Sequence, residues 1–181
     1  YGNVITKYCR FLAMYDIKAP YLLFLGDAPD ALAAKTARGI HDFRPERCTG
    51  QLRLPDCKAD LGLPDLTVAD AYSKGARTLV IGVANRGGKI SDSWMTVLLE
   101  ALETGFDLAA GLHSRLADVP ALKEAADRLS RSLHDVRHPG DVKDVATGKK
   151  RSGKRILGVG TDCSCGKMYT AVTLEKEMLE R

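Results

Sequence analysis

No apolar run in this 181-residue sequence approaches the roughly 18–20 residues that a membrane-spanning helix requires, so no membrane partner is expected. The opening, Tyr1-Gly2-Asn3-Val4, lacks the basic-then-apolar pattern of a secretory signal. It also lacks an initiator Met, which suggests a start inside a longer chain. Charge of one sign is not in excess: 27 basic and 23 acidic residues leave a net charge of only +4. Aromatics are scarce at 6%, and none alternate with basic residues along a stripe, so nucleic acid is not an expected partner. Cysteines number five, an odd count without zinc-finger spacing, which points to reduced thiols and a cytoplasmic location.

What is present is an ordinary globular composition, 45% hydrophobic and 28% charged, enough for one domain and part of another. Short apolar runs alternate with helical stretches. Residues 21–25 read as a buried strand ending in Gly26-Asp27, and Pro29-Asp30 opens an Ala-rich helix over 31–38 closed by Gly39. Residues 48–54 read as a second strand, and Thr67-Val68-Ala69-Asp70 as a capping box whose helix ends at Gly75. The clearest strand is 78–83, followed by Asn85-Arg86-Gly87-Gly88 and a helix over 91–104 stopped by Gly105. A strand over 107–112 ends in His113-Ser114; a helix over 121–132 and a short strand over 133–137 follow.

Strands separated by single helices imply an α/β fold, a Rossmann-like parallel sheet with right-handed crossovers. In such sheets ligands gather beyond the carboxyl ends of the strands, which singles out Asp27, residues 85–88 and His113. Residues 138–154, with their glycines and their run of Lys and Arg, read as a linker. A fresh strand over 155–160 and a helix over 166–179 come next. The expected organisation is a Rossmann-like domain over 1–137, a linker over 138–154, and the start of a truncated P-loop domain over 155–181.

The loop Gly160-Thr161-Asp162-Cys163-Ser164-Cys165-Gly166-Lys167 lies between that strand and helix, the setting a phosphate-binding loop requires. Its glycines let backbone N–H groups converge on an anion, the helix N-terminus adds partial positive charge, and Lys167 adds a full one. A nucleotide or coenzyme A is the expected ligand. Five residues rather than four separate the glycines, and Met168 stands where a Ser or Thr ordinarily ligates Mg²⁺, so no metal is expected. Cys163 and Cys165 read either as small residues tolerated in a tight loop or as thiols acidified by the helix N-terminus.

Elsewhere, His113 is the best general-base candidate, the alternative being a buried hydrogen-bonded histidine. Asp27 reads either as a ribose contact or base, or as a helix cap. Asn85, Arg86, Gly87 and Gly88 resemble an anion nest, with Arg86 as a carboxylate clamp, or a plain turn. Lys35 and Thr36, one turn into the first helix, are candidate substrate contacts or surface residues, and Trp94 a core residue.

The longer loop resembles that of dethiobiotin synthetase. Over about residues 20–181 the chain resembles a more specific family, the DgcN-type D-glutamate N-acetyltransferases, long catalogued as a domain of unknown function. The resemblance rests on Leu25-Gly26-Asp27, Ala34-Lys35-Thr36-Ala37, Gly50-Gln51-Leu52, residues 79–84 with Gly87-Gly88, Ser93-Trp94, Gly111-Leu112-His113 and Lys167-Met168-Tyr169-Thr170. It implies acetyl transfer from acetyl-CoA, as co-substrate, to the amine of a D-amino acid, typically D-glutamate. It also implies further chain beyond residue 181, without which residues 1–181 are expected to be inactive. An ATP-dependent ligase or kinase of dethiobiotin synthetase type, or a non-catalytic nucleotide- or CoA-binding module, remains the alternative. The acceptor's identity and the oligomeric state, a homo-oligomer included, stay open.

Overall fold

The computed structural model describes residues 17–138, 152–161 and 165–181, with only the backbone of Arg86. The chain divides into two compact units, Tyr1–Pro139 and Gly140–Arg181.

The first unit is a five-stranded parallel sheet. Strands β1 (Tyr21–Gly26), β2 (Cys48–Arg53), β3 (Thr78–Ile81), β4 (Asp107–Ala110) and β5 (Leu133–Asp135) take the order β2-β1-β3-β4-β5. Helices α1 (Lys35–Phe43), α2 (Val68–Ser73), α3 (Met95–Thr104) and α4 (Pro120–Leu129) make the crossovers. The chain moves one way from β1 to β2 and the other way afterwards. With right-handed crossovers, α1 therefore covers one face and α2 to α4 the other. The packing of α2 on α3 and of α3 on α4 agrees. This order has its topological switch point between β1 and β3, where a crevice opens at the carboxyl edge.

Burial explains the strands. Leu22 to Leu25 in the centre of β1, and Leu79 and Ile81 in β3, are covered from both faces and are apolar without alternation. Local signals hold where they are strong. Thr67 caps α2 by accepting a hydrogen bond from the Asp70 N–H at 3.1 Å. Gly105 ends α3 in the left-handed conformation that favours glycine.

Three expectations are corrected. The first helix starts at Lys35, not residue 31, and runs through the buried Gly39 to Phe43. The Ala33 carbonyl, which would begin an earlier helix, instead accepts from the Ala84 N–H at 2.7 Å, and the Ala37 N–H donates to Gly82 O at 3.2 Å. The sheet captures the hydrogen bonds of the helix's first turn. Secondly, β3, β4 and β5 are each two residues shorter at their carboxyl ends than their sequence patterns. The regular pairing stops there, although the Gly82 N–H still donates to Phe24 O at 2.9 Å and the Val136 N–H to Ala110 O at 3.0 Å. Thirdly, residues 155–160 form no strand, and Ile156, Leu157 and Val159 are exposed. A strand exists only through a neighbour, and no described strand pairs with this segment.

In the second unit the helix α5 (Lys167–Leu179) follows Gly166 and buries none of its residues. The connection expected over 138–154 falls mostly outside the described residues.

Candidate functional site

Within the first unit, a cavity of about 320 Å³ opens at the carboxyl ends of β3 and β4. That is the small end of the range for small-molecule sites, roughly 300–1,000 Å³. Lys35 and Thr36 enter from the start of α1, Asn85 and Gly88 from the loop after β3, His113 from the end of β4, and Arg137 from beyond β5. The chain thus brings together Lys35, Thr36, Asn85, Gly88 and His113 of the candidates read from the sequence.

Backbone contacts hold these loops in place. A Cβ on Gly82 would stand 2.3 Å from that of Ala37, so only glycine lets α1 ride against the end of β3. This contact sets Lys35 and Thr36 at the rim. Across the cavity, Gly88 has φ +58, and its carbonyl accepts the Ser114 N–H at 3.0 Å. That bond ties the loop after β3 to the loop after β4, with His113 between. The Asn85 amide donates through Nδ2 to Lys89 O at 2.7 Å, while its Oδ1 is buried with no hydrogen-bond partner. A buried acceptor without a partner costs about 1–3 kcal/mol, which a ligand donor entering the cavity would relieve.

The electrostatics are one-sided. Lys35, His113 and Arg137 line the cavity, and among the described residues no Asp or Glu does. The N-terminus of α1, capped by no side chain, adds partial positive charge from the same direction. An anionic ligand suits such a wall.

Asp27 is placed elsewhere. Its Oδ1 accepts the indole N–H of Trp94 at 2.8 Å, and its Oδ2 lies 3.5 Å from Ser93 Oγ. The carboxylate therefore anchors a buried tryptophan, which packs edge-on against Phe24, and does not line the cavity. Gly87 has φ +80 and is exposed, serving the turn rather than the cavity wall. The side chain of Arg86 lies outside the described residues. Arg137 was not among the sequence candidates, because the sequence pattern counts it inside β5, whereas it lies just beyond the observed carboxyl end of that strand.

In the second unit, Gly160, Thr161, Cys165, Gly166 and Lys167 of the phosphate-loop candidates are described; Asp162, Cys163 and Ser164 lie outside the described residues. A Cβ on Gly160 would stand 2.3 Å from Cys165 Sγ, and Gly166 takes φ +92 as it enters α5. Lys167 is the first residue of the helix, its Nζ 3.3 Å from Cys165 Sγ. Glycines at both constrained points and a cation at the helix start fit a phosphate group.

Comparison with known proteins gives the family. Residues 52–139 match the N-terminal DUF1611 domain, described as a Rossmann-like domain of unknown function, and residues 144–181 match its C-terminal P-loop domain. The chain belongs to the DUF1611 family. It is 59% identical over 165 residues to a D-glutamate N-acetyltransferase of Tritonibacter scottomollicae, covering 91% of this chain and 50% of that protein. A D-glutamate N-acetyltransferase of a Pseudoalteromonas species is 43% identical over 166 residues, 92% of this chain and 50% of that protein. This DUF1611 chain thus spans about half the length of the curated relatives it matches. A crystal structure of a DUF1611 family protein from Anabaena variabilis ATCC 29413 matches with a TM-score of 0.58 at 26% identity, over 72% of this chain and 40% of that one. The resemblance drawn from the short motifs, and the Rossmann-like domain followed by a P-loop domain, are both borne out. No helix among the described residues is long and apolar enough to cross a membrane.

Proposed function

We propose that the full-length protein transfers an acetyl group from acetyl-CoA to the amine of D-glutamate, in the cytoplasm. The observation that carries this reading is the likeness to relatives of that name, at 59% and 43% identity over more than nine-tenths of the chain. A cavity lined by Lys35 and Arg137, with no acidic side chain among the described residues, supports it, because glutamate brings two carboxylates.

The chemistry asks little of the protein beyond positioning and proton transfer. His113 is the group in the cavity suited to take a proton from the acceptor ammonium, which exposes the nitrogen lone pair. That nitrogen attacks the thioester carbonyl, the carbon–sulfur bond breaks, and the leaving thiolate accepts the second proton from nitrogen. The products are the N-acetyl amino acid and the free thiol. Residues 160–167 would hold phosphate oxygens of the donor through backbone N–H groups and Lys167.

Incubating the full-length protein with acetyl-CoA and D-glutamate, and following N-acetyl-D-glutamate by mass spectrometry, tests the reading. Acetylated product together with released thiol is expected. ATP turnover coupled to D-glutamate, with no acetylated product, would replace it with the ligase reading.

A further inference from the structure

Several arginines of the first unit are tied into the fold. Arg53 pairs with Asp65, Arg77 donates to Tyr72 O at 3.2 Å, and Arg131 donates to Gly105 O at 2.9 Å. Arg137 is not. It lies two residues beyond β5, exposed on the cavity wall, and makes no hydrogen bond or ion pair with any described residue. Asp135, two residues earlier, makes its hydrogen bonds elsewhere: its carboxylate accepts the Leu116 N–H at 2.7 Å and the Ala117 N–H at 3.3 Å. Val136 between them is fixed by its N–H to Ala110 O at 3.0 Å. The backbone that carries Arg137 is thus anchored to the sheet, while its guanidinium has no partner among the described residues.

We propose that Arg137 is the carboxylate anchor of this cavity, and that the cavity receives the acceptor amino acid rather than the acetyl donor. The proposal rests on the acetyltransferase reading above. A guanidinium offers a planar fork that matches a carboxylate with two parallel hydrogen bonds. Lys35 stands on a different element, the start of α1, so the cavity offers two cations from two directions. That arrangement suits a small dicarboxylate, whose anionic ends lie apart, better than one compact anion. The cavity's modest volume, about 320 Å³, also suits an amino acid better than a whole coenzyme.

The test compares the full-length wild-type protein with Arg137→Ala and Arg137→Lys. Initial rates are taken with each substrate varied in turn, and D-glutamate is titrated by calorimetry without the donor. Arg137→Ala should raise the KM for D-glutamate, and weaken its calorimetric affinity, by about tenfold or more, as expected for a lost charge-assisted contact. The KM for acetyl-CoA should stay within about twofold, and Arg137→Lys should recover part of the loss. A rise in the KM for acetyl-CoA alone would assign the cavity to the donor and overturn the proposal. Unchanged values for both substrates would make Arg137 a solvated surface residue. If the wild type binds D-glutamate but forms no acetylated product, the transfer reading fails, and the calorimetry with Arg137→Ala still decides the site. Absence of D-glutamate binding to the wild type would overturn both.

Discussion

Gly88 lies so close to His113 that a Cβ there would stand 2.5 Å from the imidazole Cδ2 and 2.8 Å from the His113 backbone nitrogen. The second of these neighbours is backbone and cannot swing aside. Gly88→Ala would also force a side chain into φ +58. We expect a loss of stability on the order of 1–3 kcal/mol and a marked fall in kcat, because His113 is pushed from its place between the two loops. Thermal unfolding and steady-state kinetics on the full-length protein measure the two effects. A variant with normal stability and rate would show that this contact does not position His113.

That contact marks where the sequence stopped being legible. Runs such as Leu22 to Leu25 announce buried strands by composition alone, and Thr67 and Gly105 announce helix ends by local chemistry. The start of α1 is different, because Ala84 and Gly82 take the hydrogen bonds of residues 33 and 37 from more than forty positions away. No local pattern encodes such a capture. Asp27 misleads for the same reason: a strand end followed by an aspartate suits a ligand site, but its partner Trp94 comes from a distant turn. His113 and Asn85 could be placed at the cavity by the carboxyl-end rule, since that rule needs only strand order. Arg137 escaped it because the sequence pattern of β5 runs on to residue 137, whereas the ladder ends at Asp135.

The Asp27–Trp94 bond separates a structural carboxylate from a catalytic one. Asp27→Ala leaves the buried indole N–H without its partner, and a loss of about 1–3 kcal/mol is expected. Asp27→Asn keeps an acceptor oxygen and should retain most of that stability. If Asp27 only anchors Trp94, Asp27→Asn also keeps its acetyl-transfer rate within a few-fold. A base or nucleophile at this position would lose on the order of a hundredfold or more on that same substitution. Chemical denaturation paired with kinetics on the two variants decides between them.

Acid should weaken the corner around β2. Arg53 donates to both oxygens of Asp65, its Nε at 2.7 Å from Oδ1, and this bond holds the Asp65 carboxyl below its usual range. Asp60 is lowered chiefly by the hydrogen bond from Gln51 Nε2 at 2.8 Å, then by the Gly62 N–H. Both carboxyls are more acidic folded than unfolded. Their contribution is therefore complete above the unfolded value, about 3.9, and is lost as the pH falls through the lower folded values. Both groups face solvent, so the effect is modest and salt should shrink it. Urea midpoints measured from pH 7 down to pH 3 should fall in the acid range, and less steeply for Asp65→Asn. Parallel acid profiles for wild type and variant would show that the pair contributes nothing.

Magnesium offers the sharpest separation between acetyl transfer and phosphoryl transfer. In nucleotide hydrolases the hydroxyl after the loop lysine ligates Mg²⁺, which bridges the phosphates and neutralises developing charge. Here that residue is Met168, the second of α5, exposed and offering only a thioether with little affinity for a hard cation. Thr170 carries the next hydroxyl along the helix, but two residues rotate a side chain by about 200°, away from the position of Met168. Acetyl transfer breaks a thioester and leaves every phosphate bond intact, so it does not depend on such a ligand. The full-length protein is therefore expected to release thiol from acetyl-CoA, in the presence of D-glutamate, at the same rate with Mg²⁺ or with excess EDTA. Restoring a ligand with Met168→Thr should leave that rate unchanged as well. The measurement is a thiol-release assay run beside a phosphate-release assay with ATP. Strict dependence on Mg²⁺, or phosphate release that requires D-glutamate, would mean that this loop works on a nucleotide and that the donor is not acetyl-CoA.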